Sequence, residues 1–400
     1  MTTQQAPSLV PAGRRVAALP LLALCGTWAA TRLGTAFLLV TDDIGIGGVS
    51  TEVYVLYARW YDQLLGGTFP PDDPTWQYPP GAGAVILAPA LLPWLTYFQA
   101  FAALALLADA VVTVALARAG GVGGGGVWMW TGGLPLLLHI PLARYDVLVT
   151  ALAVSALLAV NRRPRLGGAL AGLGAAVKLW PALTLLGTPR GRTTRLAWVS
   201  AAAAALGAVA ALALGLDRPL GFLRQQGDRG VQVESLGGSA LALVRLLGGG
   251  GRVEYRYGAF EFTGPYVTLV ARASLLLTAA AFLLVLLWRL RARRRSEATP
   301  FDAALCAVLL FTVTSRVISP QYLIWLLGLA AVCLTSRHTS QRPVALLLLP
   351  ATALSALAYP VLYQDVIDVT PLGSGVVLVR NGLLLTAAVL SARRLWAATR

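Results

Sequence analysis

The chain contains 31 arginines and a single lysine, Lys178, which sits in the hydrophobic run GALAGLGAAVKLWPALTLL (168–186). An ammonium in hydrocarbon costs at least about 2.5–3.5 kcal/mol, so its presence there asks for a reason. A compact ammonium can neutralise a phosphate as a point charge; it can equally snorkel to an interface or pair with Asp146. Arg144 and Asp146 flank Tyr145 where another apolar run begins. They either form an internal ion pair or serve a ligand, Arg144 on an anion and Asp146 orienting it or a sugar hydroxyl. Arg316 followed by Ser319-Pro320-Gln321-Tyr322 places a guanidinium, a hydroxyl and an amide on a helix-breaking turn, equipment for an anion and a polar ligand. Arg229 and Glu234 lie close together in a further polar stretch. Segment 41–80 holds Asp42, Asp43, Glu52, Asp62, Asp72 and Asp73 against one basic residue, Arg59, together with Trp60, Trp76, Tyr54, Tyr57, Tyr61 and Tyr78. Carboxylates accept hydroxyl hydrogen bonds and aromatic faces cover the apolar faces of sugars. The same inventory also describes an interfacial aromatic belt with solvated acids.

The elements that must position these side chains follow from composition. Of 400 residues, 57% are hydrophobic and 12% charged, and the mean hydropathy of +0.70 excludes a soluble globular protein. The apolar residues come in runs of roughly 17–25, long enough to cross hydrocarbon as helices, without the ten-residue alternation of an outer-membrane barrel. The expected fold is all-α, a polytopic transmembrane bundle of roughly 11–13 membrane helices with a long first outer loop.

The net charge of +15 would suggest nucleic acid in a soluble chain, but here basic clusters punctuate the spans. Arg14-Arg15, 162–165, 190–195, 289–295, 337–342 and Arg393-Arg394 with Arg400 read as cytoplasmic anchors, which excludes nucleic acid as a partner. Both acid-rich segments, 41–80 and 216–264, then face outward. Residues 1–15 and 396–400 form cytoplasmic tails around one membrane domain, 16–395. Threading every basic cluster inside makes 166–188 a broken helix that rises to about Lys178, interrupts near Pro181 and descends. Pro93-Trp94 splits 81–118 in the same way. Arg32, in mid-span, can pair with Asp109 as a structural bridge. Cys25, Cys306 and Cys333 lack ligand or disulfide spacing, and His139 and His338 lack metal-ligand neighbours, so no metal site and no cofactor are expected.

Taken together, TEVYVLYARWYDQLLGGTFPPDDPTWQYPPGAGAVILAPALLP (51–93), RYDVLVTALAVSALLAV (144–160), GALAGLGAAVKLWPALTLL (168–186), RGVQVESL (229–236) and SRVISPQYLIWLL (315–327) resemble glycosyltransferases of the C superfamily. The likeness is to family 87, the polyprenyl-phosphate-mannose-dependent α-1,2-mannosyltransferase type, over roughly 15–395. It implies a multi-pass plasma-membrane enzyme with both termini cytoplasmic and the active site on the outer face. Its reaction would be inverting single displacement of mannose from a polyprenyl-phosphate donor to a glycan or glycolipid hydroxyl. It further implies a carboxylate base in the first outer loop and cations, among Lys178, Arg144, Arg229 and Arg316, around the departing phosphate. Asp146, Glu234, Gln321, Tyr78 and Trp76 would contact substrate. Members of the family usually carry Asp some fourteen residues ahead of the loop's Gly-Gly; here that residue is Glu52. Three readings stay open: Glu52 is the base, Asp42 or Asp43 has taken the role, or activity is lost. A transporter or flippase of a lipid-linked sugar or small anion is the competing class.

Overall fold

The computed structural model describes residues 12–70, 73–222 and 230–400. Hydrocarbon offers a backbone amide no partner but another backbone group, so the apolar runs fold as helices. After α1 (Ala12–Thr41), a π-helical turn at Glu52–Tyr57 leads into α2 (Ala58–Leu65). α3 (Gly81–Leu87) ends before Pro93-Trp94, and α4 (Tyr97–Gly120) starts afresh on a capping box formed by Thr96 and Gln99. The next stretch is not one helix. α5 (Gly125–Gly133) gives way to 3-10 turns at Leu134–Leu137 and Ile140–Leu142, each opened by a proline, before α6 (Asp146–Val160).

α7 (Pro164–Val177) stops where the polar residue falls. Lys178 is extended (φ −144°, ψ 134°), and a 3-10 segment, Trp180–Gly187, carries the chain to α8 (Arg192–Ala213). The remaining helices are α9 (Leu236–Leu246), α10 (Val267–Arg291), α11 (Thr299–Thr314), α12 (Tyr322–Cys333), α13 (Arg342–Ala356), α14 (Tyr363–Asp368) and α15 (Pro371–Ala398). Among the described residues, six helices are long and apolar enough to cross a membrane, and five shorter apolar helices accompany them. The chain is a polytopic α-helical membrane protein. Several inner spans are shorter than a full crossing because prolines and buried polar residues interrupt them.

Segment 216–264, expected as loop, contains a small antiparallel sheet in the order β1 (Val231–Gln232), β3 (Ala259–Thr263), β2 (Arg252–Arg256). Tyr257 and Gly258, both with positive φ, make the tight turn of its hairpin. The two polar segments are stitched together, because Asp217 donates its amide to the Gly67 carbonyl and accepts the Phe69 amide.

α12 sits at the centre, with every residue from Leu323 to Cys333 buried. α8 and α10 lie outside and show most of their leucines to lipid. α7 packs tightly on α8: a Cβ at Gly168 or Gly172 would come 2.1 Å from the carbonyl of Ala197 or Ala201. Small residues permit this approach, which is how helices associate where water supplies no driving force. Basic residues end α4, follow α6 and open α8, whereas Asp146 opens α6 and the sheet precedes α10. The anionic inventory and the arginine clusters therefore occupy opposite ends of the same helices.

Arg32 meets Asp109 as anticipated. Its Nε and Nη2 each lie 2.8 Å from the carboxylate, which also accepts Trp130 Nε1 at 2.7 Å, and its Nη1 reaches the Thr131 carbonyl at 2.7 Å. Removing one partner strands a buried charge, so Asp109→Ala is expected to cost about 3–5 kcal/mol. Arg32→Met combined with Asp109→Leu is expected to recover most of that loss, read as thermal unfolding in detergent. Equal destabilisation by the single and double variants would contradict a purely structural bridge.

Candidate functional site

Asp146 is the first residue of α6, and its side chain is 1% exposed. Its Oδ1 accepts Lys178 Nζ at 2.7 Å and Trp325 Nε1 at 2.6 Å. The break after α7 places that ammonium over three aromatic faces: Tyr145 at 4.7 Å, Trp325 at 5.3 Å and Tyr78 at 5.4 Å from the ring centroids. Cation–π attraction and one charge-assisted bond thus hold a group that hydrocarbon would reject. Gly81 makes the arrangement possible from the other side, since a Cβ there would sit 2.5 Å from the Ala176 carbonyl. Both expectations for Lys178 concern the same atoms. It is paired with Asp146, and an ammonium has three donors of which the carboxylate uses one.

One residue before Tyr145, Arg144 is buried. Its Nη1 donates to the carbonyls of Val49 (3.2 Å) and Ala143 (2.9 Å), and its Nη2 lies 3.5 Å from Glu52 Oε2. Tyr359 lies near the same guanidinium, whose buried Nε has no hydrogen-bond partner. Glu52, at the start of the π-helical turn, keeps 28% of its side chain exposed. Tyr57 packs on Tyr145 at 5.7 Å, and Tyr145 on Tyr78 at 5.3 Å, so aromatic rings join the Glu52–Arg144 pair to the Lys178–Asp146 pair. Burial, reinforced by the Glu52 charge, pushes the Tyr57 hydroxyl well above its ordinary pKa, which keeps it neutral and able to donate.

The other first-loop carboxylates are placed differently. Asp42 accepts the amides of Val49 and Ser50, the Ser50 hydroxyl at 2.6 Å and His139 Nε2 at 2.9 Å. Burial raises its carboxyl, but those bonds win and hold it below the usual range. It clamps loop 42–50, which Gly45 seats on Pro360: at φ +65° a Cβ would fall 2.0 Å from the Pro360 carbonyl oxygen. Asp43 is exposed beside it. Asp73 folds the loop's far end by accepting Arg59, Trp60 Nε1 and Thr75. Trp76 is packed inward against Trp60 and Phe69 and only 2% exposed, so it shapes the loop's own core, whereas Tyr78 faces Lys178.

Glu234 belongs to a second layer. It is buried, 3.5 Å from Arg380 Nη2, and accepts Gln232 Nε2 at 3.2 Å. Its backbone carbonyl takes Arg380 Nη2 at 2.8 Å and Asn381 Nδ2 at 3.1 Å, fixing the β1–α9 corner to α15. Gln232 fixes the 315–321 turn in its own right, donating its amide to the Arg316 carbonyl and accepting the Ile318 amide. Gln321 immediately precedes α12 and is half-buried. Arg316 lines the wall of an open cavity of about 410 Å³ together with Arg256, Arg272 and Glu261. Asp72 and Arg229 lie outside the described residues.

The structure therefore brings together Glu52, Arg144, Asp146, Lys178 and Tyr78, with Arg316 and Glu234 in neighbouring surroundings. Sequence reading passed over Trp325, Tyr359 and Arg380. An arginine in the apolar run before Asn381 was a signal for the last, because an intramembrane charge needs a partner. The other two are aromatics among many, and nothing local marks them. Among the described residues no group of three or more His, Cys, Asp or Glu could hold a metal ion.

Burial pushes Glu234 up to about 7, against the lowering effect of Arg380. A carboxyl whose folded pKa exceeds its unfolded value binds more protons when folded, so its contribution to stability is present at low pH and lost as pH rises from about 4.5 through 7. Glu234→Gln is expected to flatten that part of the melting-temperature profile relative to wild type. Superimposable slopes between pH 5 and 7.5 would contradict the assignment.

The family model for Glycosyltransferase family 87 matches residues 76–320, more than half of the chain. Among solved structures, the chain is similar to the crystal structure of ArnT from Cupriavidus metallidurans bound to undecaprenyl phosphate. The identity is 14% and the TM-score 0.45, over 96% of this chain and 78% of that one. No curated protein matches. The span of the family match, which takes in Tyr78, Arg144, Asp146, Lys178, Glu234 and Arg316, establishes that this membrane protein belongs to glycosyltransferase family 87.

Proposed function

We propose that the protein transfers mannose from a polyprenyl-phosphate donor to a glycan or glycolipid hydroxyl by inverting single displacement at the extracytoplasmic face. One observation carries this reading. A partly exposed carboxylate, Glu52, stands beside Arg144 in an aromatic-walled site that also holds the Lys178 ammonium. In this mechanism Glu52 takes the proton of the acceptor hydroxyl as that oxygen attacks the anomeric carbon. The bond from that carbon to the phosphate oxygen breaks, its electrons leave with the phosphate, and Lys178 and Arg144 stabilise the charge that develops. The donor's polyprenyl tail stays in lipid, so no nucleotide needs to be held.

Asp42 is the weaker candidate for the base because both its oxygens are already engaged by loop amides, Ser50 and His139. Asp146 is committed to Lys178 and Trp325, which suits it to orienting the ammonium. The outward orientation rests on the arginine clusters lying at the opposite end of the helices from this site.

Purified protein reconstituted with radiolabelled polyprenyl-phosphate-mannose and a crude lipid and glycan extract tests the proposal. Glu52→Gln is expected to lower transfer by about 10²–10⁴-fold with donor binding retained, while Asp43→Asn leaves transfer within a few-fold of wild type. Lys178→Ala is expected to weaken both donor binding and turnover. Transfer lost in Asp43→Asn alone would move the base to that residue. Donor bound but unreacted with every acceptor, in wild type as in the variants, would favour the transporter or an inactive protein.

A further inference from the structure

At the end of the helices away from Glu52, three guanidiniums converge on one turn. Arg289, in the last turn of α10, donates Nη1 to the Leu186 and Thr188 carbonyls and Nη2 to the Thr194 hydroxyl at 2.9 Å. Arg295 donates Nη1 to the same Thr188 carbonyl at 2.8 Å and to that of Gly187. Arg190 donates to the carbonyl of Arg289 itself. Sharing Thr188 as acceptor puts the Arg289 and Arg295 head groups side by side, and all three charges repel one another. Among the described residues no carboxylate pairs with any of them. Glu297, the nearest acid in sequence to Arg295, instead accepts the Ser336 hydroxyl. Arg295 also keeps a buried Nη2 with no partner.

Three cations gathered without a counter-charge are unfavourable unless an anion joins them. Planar guanidiniums with spare N–H groups match the oxygens of a phosphate, and several at once make a bidentate cradle. We propose that Arg190, Arg289 and Arg295 form a binding site for a phosphate group, separate from the glycosyl-transfer site. The surroundings favour a phospholipid headgroup as its source. α8 and α10, which flank the cluster, are the two long helices with the least of their surface buried, and Leu286, Leu290 and Val199 are exposed there. Acyl chains would lie against those side chains while the phosphate meets the arginines. Occupancy would also brace the 3-10 segment Trp180–Gly187, whose far end the arginines grip and whose near end follows Lys178.

The test uses the full chain, delipidated in detergent. Retained phospholipid is counted by native mass spectrometry, and melting temperature is followed on adding phosphatidylglycerol, phosphatidylcholine or inorganic phosphate. Wild type is expected to bind phosphatidylglycerol and to melt higher in its presence, with no response to phosphatidylcholine. Arg289→Gln/Arg295→Gln is expected to bind it at least about tenfold more weakly. Arg190→Gln, at an exposed position, guards against misfolding of the double variant and is expected to weaken binding in the same direction. Arg393→Gln, at the exposed end of α15, is expected to match wild type. An arginine-dependent rise with inorganic phosphate alone would keep the phosphate site and assign it a soluble ligand. Equal phosphatidylglycerol binding by wild type and all the variants, or none by wild type, would overturn the proposal.

Discussion

The Asp146 carboxylate is the point on which the site depends. It receives Lys178 from the break after α7 and Trp325 from the buried α12, and so ties three separate stretches of chain together at one oxygen. Each participant would be costly alone: a carboxylate that is 1% exposed, an ammonium among aromatic rings and an indole N–H in an apolar core. Together they satisfy one another through Oδ1, while Oδ2 stays buried without a hydrogen-bond partner, and the polar break after α7 becomes tolerable because it lines a site instead of facing lipid. Stacking of Trp325 between Trp180 and Tyr322 holds the indole in place.

From that oxygen the architecture divides into two ends. At one end the first polar loop folds on itself through Asp42 and Asp73, packs Trp60 and Trp76 inward, and presents Glu52 to Arg144. The small sheet and the 315–321 turn, joined through Gln232 and anchored by Arg380 and Asn381, build the neighbouring wall. At the other end the arginines meet backbone carbonyls instead of acids. Close helix contacts at Gly168 and Gly172 keep α7 registered between the two.

Much of this was legible in the sequence because membrane constraints are severe. The spans, the break between about Lys178 and Pro181, the split near Pro93-Trp94 and the Arg32–Asp109 bridge follow from where charges and prolines fall along apolar runs. Arg144, Asp146 and Lys178 stood out for the same reason, since a charge at such a position demands a partner, whereas only the family resemblance distinguished Glu52 from the other acids of its loop. What was not legible depended on distant packing. Asp42 reads as a free carboxylate until the loop closes on it and His139 arrives from nearly a hundred residues away. The hairpin of β2 and β3 carried a local signal in its alternating residues and Tyr257-Gly258 turn, but it was hidden inside a segment read only for its charge. Tyr359 and Trp325 could be picked from other aromatics only by the three-dimensional arrangement.

The most direct test of the central claim is a structure of the full chain in lipid with polyprenyl phosphate bound, determined by electron cryo-microscopy. The phosphate is expected within hydrogen-bond reach of Lys178 and Arg144, with Glu52 across the vacant sugar position and the tail leaving into the bilayer. Phosphate density in the cavity walled by Arg256, Arg272 and Arg316, with the Lys178–Asp146 pair untouched, would contradict it.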